Sequence, residues 1–167
     1  MAAVAVALAA GLSSMAARLS AGQLADASGL ADLADAYRWR VAPLARADAE
    51  AYGRVLDAYR ESDPETRKER LRDALSGAAD VPLAVAEVGS EVAGIAARLV
   101  EEGNPNLEGD AMTAVLLADA GVRAAAALAE INLSSANVED DRLGQANELV
   151  YRTAATVRRA TEGGGRG

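Results

Sequence analysis

Proton transfer by the side chains of this protein falls to carboxylates, tyrosines and lysine, because its 167 residues include no histidine and no cysteine. The same absences exclude Ser-His-Asp and Cys-His catalysis and any disulfide. They also remove the ligands that zinc prefers, so we expect no metal site. Candidate catalytic residues are therefore carboxylates that a helix turns toward the protein interior.

Asp110 stands at the head of the almost wholly apolar run "GDAMTAVLLADAG". At ~100° per residue, Asp119, Arg123 and Glu130 fall within about 40° of one another and predict a solvated stripe. Asp110 precedes Asp119 by nine residues, so it lies about 180° away and faces the interior. One interpretation is a charge stabilised by the helix macrodipole, and the other is an acid or base.

Asp48 is a second carboxylate that helical phase turns inward. It shares its face, within roughly 40°, with Leu44, Tyr52, Val55 and Tyr59. Burial of an unpaired carboxylate costs several kcal/mol or forces protonation, so this position requires a partner or a role. The two interpretations are a hydrogen bond to a neighbouring helix end or tyrosine, and a carboxylate of a binding site.

Other polar residues have ordinary structural interpretations. Glu87 lies within about 40° of Glu91 and Arg98, which indicates a solvated helix face. Either Asn104 or Asn106 would cap the helix that follows them. No glycine-rich loop opens a helix after a strand, so the patterns of phosphate-binding and dinucleotide-binding loops are absent.

Asn132 shares the phase of Asp110 within about 40°, but it lies ~33 Å further along the same helix. One protomer therefore cannot bring these two side chains to the same ligand.

The elements that must position these residues are helices, since alternating β-branched runs and hairpin turns are nearly absent. Asp63 before Pro64 indicates a capped helix start, and Gly103 followed by Pro105 indicates a stop and a new start. Pro43 is expected to kink a long second helix. We predict an antiparallel all-α multi-helix bundle with helices at Ala2–Leu19, Ala31–Arg60, Pro64–Ala79, Pro82–Glu102, Asn106–Leu133 and Val138–Thr161.

Composition favours one domain, at residues 1–162, with a disordered glycine-rich tail at 163–167. Hydrophobic residues make up 51% of the chain and aromatic ones 3%, so alanine, leucine and valine must build the core. The net charge of -8 disfavours nucleic acid as a partner. The apolar run Ala2–Leu12 is short of the ~20 residues of a membrane span. We expect a cytoplasmic protein without a membrane partner.

Four sequence blocks resemble a known family: "EEGNPNLEGDAMTAVLLADAG", "AEINL", "ADVPLAVAE" and "RADAEAYGRVLDAYR". They are similar, in order and spacing, to blocks of the cyclodeaminase/cyclohydrolase family. That family includes the C-terminal domain of formiminotransferase-cyclodeaminase and the methenyltetrahydrofolate cyclohydrolases. The likeness extends from about Ala2 to Ala160, and the G-N-x-N-x-x-x-D block is its most specific part.

The resemblance implies an all-α bundle that forms a homodimer, with a folate site near the subunit interface. It implies a tetrahydrofolate derivative as substrate and no tightly bound cofactor. Family members convert formiminotetrahydrofolate to methenyltetrahydrofolate with loss of ammonia, or interconvert methenyl- and formyltetrahydrofolate with water. Both reactions pass through a tetrahedral carbon between two folate nitrogens and need a proton donor or acceptor there.

The resemblance also assigns residues. Asp110 falls on the aspartate after the G-N block, as general acid/base or pterin anchor. Asp48 falls on the aspartate of a D-x-x-A-[FY] block, here "DAEAY", as a partner carboxylate across the site. The family's other polar positions, with substrate-binding roles implied, fall on Asn104, Asn106, Glu87 and Asn132.

Two departures from the family pattern stand out. Family members carry P-G-G-G-S before the first helix, whereas this chain begins at Met1, where that helix begins. We hypothesise a start codon assigned too late, which the upstream genomic frame would test. After the first helix, Gln23 and Leu24 stand where basic residues are expected, so Arg18 or Arg38 is a candidate replacement for the basic anchor.

Three functions remain open from the sequence. The first is a folate-dependent cyclodeaminase or cyclohydrolase, with the choice between ammonia and water undecided. The second is a catalytically weak or inactive family member that binds folate or serves as a helical dimerisation module. The third is an interaction bundle with no ligand.

Overall fold

The computed structural model describes residues 1–138 and 140–163, and all regular structure in these ranges is helical. A single 3-10 turn, Pro105–Leu107, connects the fifth and sixth α-helices. The prediction of an all-α bundle is confirmed. The seven α-helices of the described residues are α1 (Ala2–Arg18), α2 (Ala27–Val41), α3 (Leu44–Tyr59), α4 (Pro64–Ala78), α5 (Asp80–Glu102), α6 (Glu108–Ala136) and α7 (Asp141–Gly163).

The centre of the bundle consists of α1, α5 and α6, which pack against one another. On either side, α2 packs against α1, and α7 covers α5 and α6. Near one end, α3 and α4 pack together and α4 also contacts α6. Because α1 and α6 run antiparallel, Gly121 lies beside Val6, whereas Ala111 packs with Ala16 and Ala17.

The predicted single helix from Ala31 to Arg60 is wrong, since two helices occupy this stretch. The last helical hydrogen bond of α2 runs from the Ala42 amide to the Arg38 carbonyl. Pro43 has no N–H to donate the next helical hydrogen bond. The first helix therefore ends, and a second helix begins at Leu44, in place of the single kinked helix that was predicted. The start of α2 also lies four residues before the predicted Ala31.

The end of α6 and the bounds of α7 also differ from prediction. Asn137 adopts a left-handed conformation with φ 52°, and Val138 donates to the Leu133 carbonyl, so α6 extends to Ala136. Gly163 belongs to α7, not to the predicted tail. The rest of that tail, 164–167, lies outside the described residues.

The central helices approach closely because glycines replace larger residues at their contact. Val6 of α1 is fully buried between Gly89 of α5 and Gly121 of α6. A Cβ added at Gly121 would lie 2.5 Å from Val6 Cγ2, and one at Gly89 would lie 2.7 Å from Val122 Cγ2. Alanines form most of the surrounding core. The small side chains allow helix backbones to approach where aromatic side chains would hold them apart.

The stretch Pro105–Ala136 is long and apolar enough to cross a membrane, with a mean hydropathy of 1.5 over an 18-residue window. Core helices of soluble proteins have the same composition. In this structure α6 contacts α1, α4, α5 and α7, and 44% of that window is buried.

Arg142, near the start of α7, connects three helices. Its guanidinium donates to Asp140, to Asp80 Oδ1 at 2.6 Å and to the Ser76 carbonyl at 2.8 Å. The hydrogen bond from Arg142 holds the pKa of Asp140 below its usual value, against a smaller opposing effect of burial. The start of α7 is therefore fixed to the end of α4 and the start of α5.

We expect Gly121→Ala to lower the free energy of unfolding by about 1–3 kcal/mol, because the added methyl group overlaps Val6. Gly94→Ala on α5 is the matched control, since no atom lies within 4 Å of its added Cβ. The control should gain about 0.5–1 kcal/mol from helix propensity. Urea denaturation measures both. Equal stability of the two variants would contradict the close packing at Val6.

We expect Arg142→Met to destabilise the protein at pH 7 and to cost progressively less as the pH falls through the lowered pKa of Asp140. A carboxylate with a depressed folded pKa stabilises above its unfolded pKa of about 3.9 and loses that contribution in acid. Arg72→Met is the control, because Arg72 is exposed and 3.6 Å from Asp73. Urea titrations from pH 7 to pH 2.5 make the comparison, and a pH-independent difference would contradict the expectation.

Candidate active site

A groove of about 680 Å³ lies between α1, α2 and the start of α3 and is here called the α1 groove. Its walls are almost entirely apolar, and Arg38 contributes the charged group among the lining residues. Volumes of roughly 300–1,000 Å³ are typical of sites for small molecules. The lining residues are Ala3, Val4, Ala7, Leu8, Gly11, Leu12, Arg38, Trp39, Ala42 and Ala45.

The apolar wall follows from the sequence of α1, which has no charged residue before Arg18. One side of α1 is buried around Val6, and the other presents Val4, Leu8 and Met15 to the surface. Leu8 is 58% exposed and Val4 42% exposed, although both are aliphatic. A helix with apolar residues all around is usually buried on every side, so this exposed side indicates a binding surface.

Arg38 and Trp39 form the end of the groove on α2. The Arg38 guanidinium lies 3.3 Å from Asp35 and 5.3 Å from the centre of the Trp39 ring. Arg18 instead bonds Asp35 at 2.6 Å, and this hydrogen bond lowers the pKa of Asp35 against the effect of burial. Of the two arginines proposed to replace the missing basic anchor, Arg38 lines the groove and Arg18 does not.

Asp48 lies at the other end of the groove. It is half-buried in a small recess beside Met1, Leu44 and Leu128. The recess shares Ala3 and Ala45 with the groove. Asp48 therefore adjoins the groove, with largely apolar surroundings on its other sides.

The predicted face of Asp48 is partly wrong. Val55 is buried and Leu44 is half-buried, as expected, but Tyr52 and Tyr59 are 63% and 59% exposed. The buried face of α3 is instead formed by Ala51, Val55 and Ala58. Asp48 and both tyrosines lie toward one edge of that face, and Asp48 remains half-buried because α1 begins beside it.

Asp110 lies at the opposite end of α1 from Asp48. The next residue, Ala111, packs with Ala16 and Ala17 near the end of α1. Asp110 itself is half-buried and lines neither the groove nor the recess of Asp48. The two carboxylates are separated by about 20 Å along α1. The structure does not bring this predicted pair together within one chain.

Asn104 connects the break before α6 to the end of α1. Its side-chain amide donates to the Leu19 carbonyl at 3.1 Å, and its side-chain oxygen accepts from the Asn106 amide at 3.0 Å. Its own backbone amide donates to Ser20 Oγ at 2.9 Å. The capping role predicted for this position is confirmed for Asn104.

The remaining predicted binding residues lie apart from the groove. Asn106 is exposed, and Asn132 donates to the Ala78 carbonyl at the end of α4. Glu87 is exposed on α5, where it lies 3.5 Å from Arg40, as the solvated interpretation predicts. Glu87 follows Val85 of the recess by two positions, so it points about 160° away from that side of α5.

The predicted solvated stripe of α6 needs a correction at Asp119. Arg123 and Glu130 are exposed, but the Asp119 side chain is only 16% exposed. Its Oδ2 accepts from Arg123 at 2.8 Å, and its Oδ1 is buried without a partner among the described residues. Because α7 packs over α6, the solvated stripe of α6 is narrower than predicted. The helical phase of α6 alone contains no information about this neighbouring helix.

Sequence reasoning missed Trp39 and the exposed side of α1 as parts of a site. The sequence contained a sign of this surface, since the first sixteen residues of α1 carry no charge and cannot form a solvated helix face of the usual kind. The arrangement can hold a flat, mostly apolar molecule with an anionic group near Arg38. Asp48 is then available to exchange a proton at the other end.

The fold is an all-α bundle, and the α1 groove has a volume typical of sites for small molecules. A family model described as Formiminotransferase-cyclodeaminase matches residues 1–149. This match covers most of the chain, which therefore belongs to the formiminotransferase-cyclodeaminase family. The resemblance that the sequence blocks predicted is confirmed.

Two relatives illustrate the family. A methenyltetrahydrofolate cyclohydrolase of Methylorubrum extorquens is 36% identical over 124 residues, which are 64% of this chain and 60% of that protein. The crystal structure of a formiminotetrahydrofolate cyclodeaminase from Thermotoga maritima superimposes with a TM-score of 0.85 at 25% identity. That superposition covers 96% of this chain and 83% of the other.

We expect Asn104→Ala to destabilise the protein by about 1–2 kcal/mol, because it removes a cap and the bond to α1. Asn106→Ala is the matched control, since the Asn106 side chain is exposed and makes no hydrogen bond among those of the described residues. Urea denaturation compares the two variants. Similar stabilities would show that Asn104 is not a structural connection.

Proposed function

We propose that this protein is a one-carbon enzyme that acts on a tetrahydrofolate derivative, as a methenyltetrahydrofolate cyclohydrolase or a formiminotetrahydrofolate cyclodeaminase. The observation that carries the proposal is the apolar α1 groove, with Asp48 at one end and Arg38 toward the other. The names of the two relatives support the same substrate class. The enzyme works in the cytoplasm, on a ligand free in solution.

The groove suits the chemistry of a folate. A pterin and a benzoyl ring are flat and largely apolar, and they match the aliphatic walls and the exposed ring of Trp39. The glutamate carboxylates require a cation, for which Arg38 is suitably placed in a protein of net charge -8. The guanidinium of Arg38 can bind a carboxylate through two parallel hydrogen bonds. Arg38 then orients the substrate.

Asp48 serves as the proton-transfer residue of this proposal. In the cyclohydrolase reaction, water adds to the carbon that bridges two folate nitrogens and gives up a proton. One carbon–nitrogen bond then breaks while the added hydroxyl loses its proton and becomes the formyl carbonyl, and the leaving nitrogen takes a proton. In the cyclodeaminase reaction, a folate nitrogen attacks the formimino carbon and a protonated amine departs as ammonia. A half-buried carboxylate beside the groove can carry the proton in either case.

We expect Asp48→Asn to lower kcat by about 10²–10⁴-fold while folate binding is retained, because the amide keeps the size but cannot take the proton. The near-ultraviolet absorbance of methenyltetrahydrofolate follows its consumption or its formation. Asp57→Asn on the same helix is the control, since Asp57 is exposed and pairs with Arg60 at the surface. Equal activity of the Asp48 and Asp57 variants would remove Asp48 from the mechanism.

We expect Arg38→Gln to raise KM more than it lowers kcat, because Arg38 binds a part of the substrate that does not react. Trp39 is the only tryptophan, so its fluorescence reports occupation of the groove independently of turnover. Binding of folate without conversion of either substrate would favour an inactive folate-binding member of the family. No change in fluorescence and no conversion would reject the proposal.

A further inference from the structure

Asp35 connects the end of α1 to the arginine that lines the α1 groove. Arg18 of α1 donates to Asp35 Oδ2 at 2.6 Å, and Arg38 Nη2 lies 3.3 Å from Asp35 Oδ1. The two arginines therefore use different oxygens of one carboxylate. The Asp35 side chain is 24% exposed, less than that of either arginine. These three residues are here called the Asp35 cluster.

The Asp35 cluster has one more cation than it has anions. Arg18 makes the shorter contact with Asp35, so it takes the larger share of the attraction. Asp32 also lies 4.0 Å from Arg18, but water screens its charge because it is 73% exposed. The positive charge of Arg38 is consequently only partly balanced. Because a guanidinium has five N–H donors, Arg38 can bind a second carboxylate and keep its contact with Asp35.

Two further neighbours confine the Arg38 side chain. Its guanidinium lies 5.3 Å from the centre of the Trp39 ring. Its stem passes beside Gly11 of α1, where an added Cβ would lie 3.8 Å from Arg38 Cδ. A free arginine side chain has many rotamers, and a ligand that must order it loses affinity. The contacts with Asp35 and Trp39 therefore order Arg38 before a ligand arrives.

The alternative task for Asp35 is to join α1 to α2. Apolar packing already joins these helices, because Ala16 and Ala17 of α1 are buried in one cluster with Ala31 of α2. Ion pairs that are open to solvent, such as that of Arg18 with Asp35, add little to stability. The contact that packing of the two helices does not require is the one between Asp35 and the arginine of the groove.

We propose that Asp35 is a positioning residue that fixes Arg38 in the α1 groove, and that this pair selects ligands with a carboxylate beyond their flat apolar part. The identity of the ligand rests on the proposed folate site, whereas the positioning of Arg38 rests on the Asp35 cluster. A folate carries such carboxylates in its glutamate portion. A pterin alone carries none, so the groove should distinguish the two.

Calorimetric titration with two ligands tests the selection. We expect Asp35→Asn to raise the Kd of 5-formyltetrahydrofolate by about tenfold, because the neutral amide no longer attracts the guanidinium of Arg38. The Kd of 6-methyltetrahydropterin, which has no carboxylate, should stay unchanged. Asp32→Asn on the same helix is the matched control, since Asp32 is exposed and 4.0 Å from Arg18. Equal losses for both ligands, or no loss for the folate, would overturn the proposal.

A double-mutant cycle shows whether Asp35 acts through Arg38. We expect Arg38→Gln to weaken the binding of 5-formyltetrahydrofolate, and Asp35→Asn to add no further loss in that variant, because no guanidinium remains to be positioned. The same loss with and without Arg38 would show that Asp35 acts by another route. In turnover assays, Asp35→Asn should raise KM and leave kcat nearly unchanged, since the glutamate portion of the substrate does not react.

A measurement without ligand separates this proposal from the proposed function. Trp39 is the only tryptophan, so its emission reports the nearby guanidinium of Arg38. We expect Arg38→Gln and Asp35→Asn to change this emission in the same direction, and Asp32→Asn to leave it as in the wild type. If the wild type binds no folate but these changes occur, the proposed function fails and the positioning of Arg38 stands. Emission that Asp35→Asn does not alter would overturn the positioning.

Discussion

Three helices meet at Val6, and the closeness of their contact sets the geometry of the molecule. Val6 is fully buried against Gly89 and Gly121, where even a methyl group would overlap neighbouring atoms. In a chain without phenylalanine, dispersion contacts have to come from many small side chains at short range. The two glycines lower helix propensity locally, and the tight packing of α1 on α5 and α6 offsets that loss.

The same constraint explains why the chemistry lies at the surface. A core built mostly of alanine and valine has no room for charged groups, and its buried hydroxyls largely bond within their own helices. Ser13 donates to the Ala9 carbonyl, and Ser20 donates to the Ala16 carbonyl. One side of α1 packs closely against α5 and α6, and this packing holds its other side in place beside α2. Arg38 and Asp48 therefore lie at fixed ends of one groove.

Helical phase and helix signals predicted much of the fold. The cap of Asp63 before Pro64, the stop at Gly103 and the apolar period of α5 follow from local rules, and the structure agrees with each. The break at Pro43 was predicted only as a kink. A missing N–H weakens a helix in any context. Whether the helix bends or ends depends on the neighbouring helices against which its two halves pack. The residues around Pro43 do not specify those neighbouring helices.

The inward orientation of Asp48 and the solvated position of Glu87 followed from phase, because an angle around one helix depends only on residue number. The location of Asp48 beside a groove, and of Asp110 some 20 Å away, depends on which helices pack together. The sequence by itself determined an all-α chain without histidine or cysteine chemistry, with carboxylates as its catalytic candidates. Only the tertiary structure decided which candidate carboxylate adjoins the groove that Arg38 and Trp39 line, because a site joins residues that are distant in sequence.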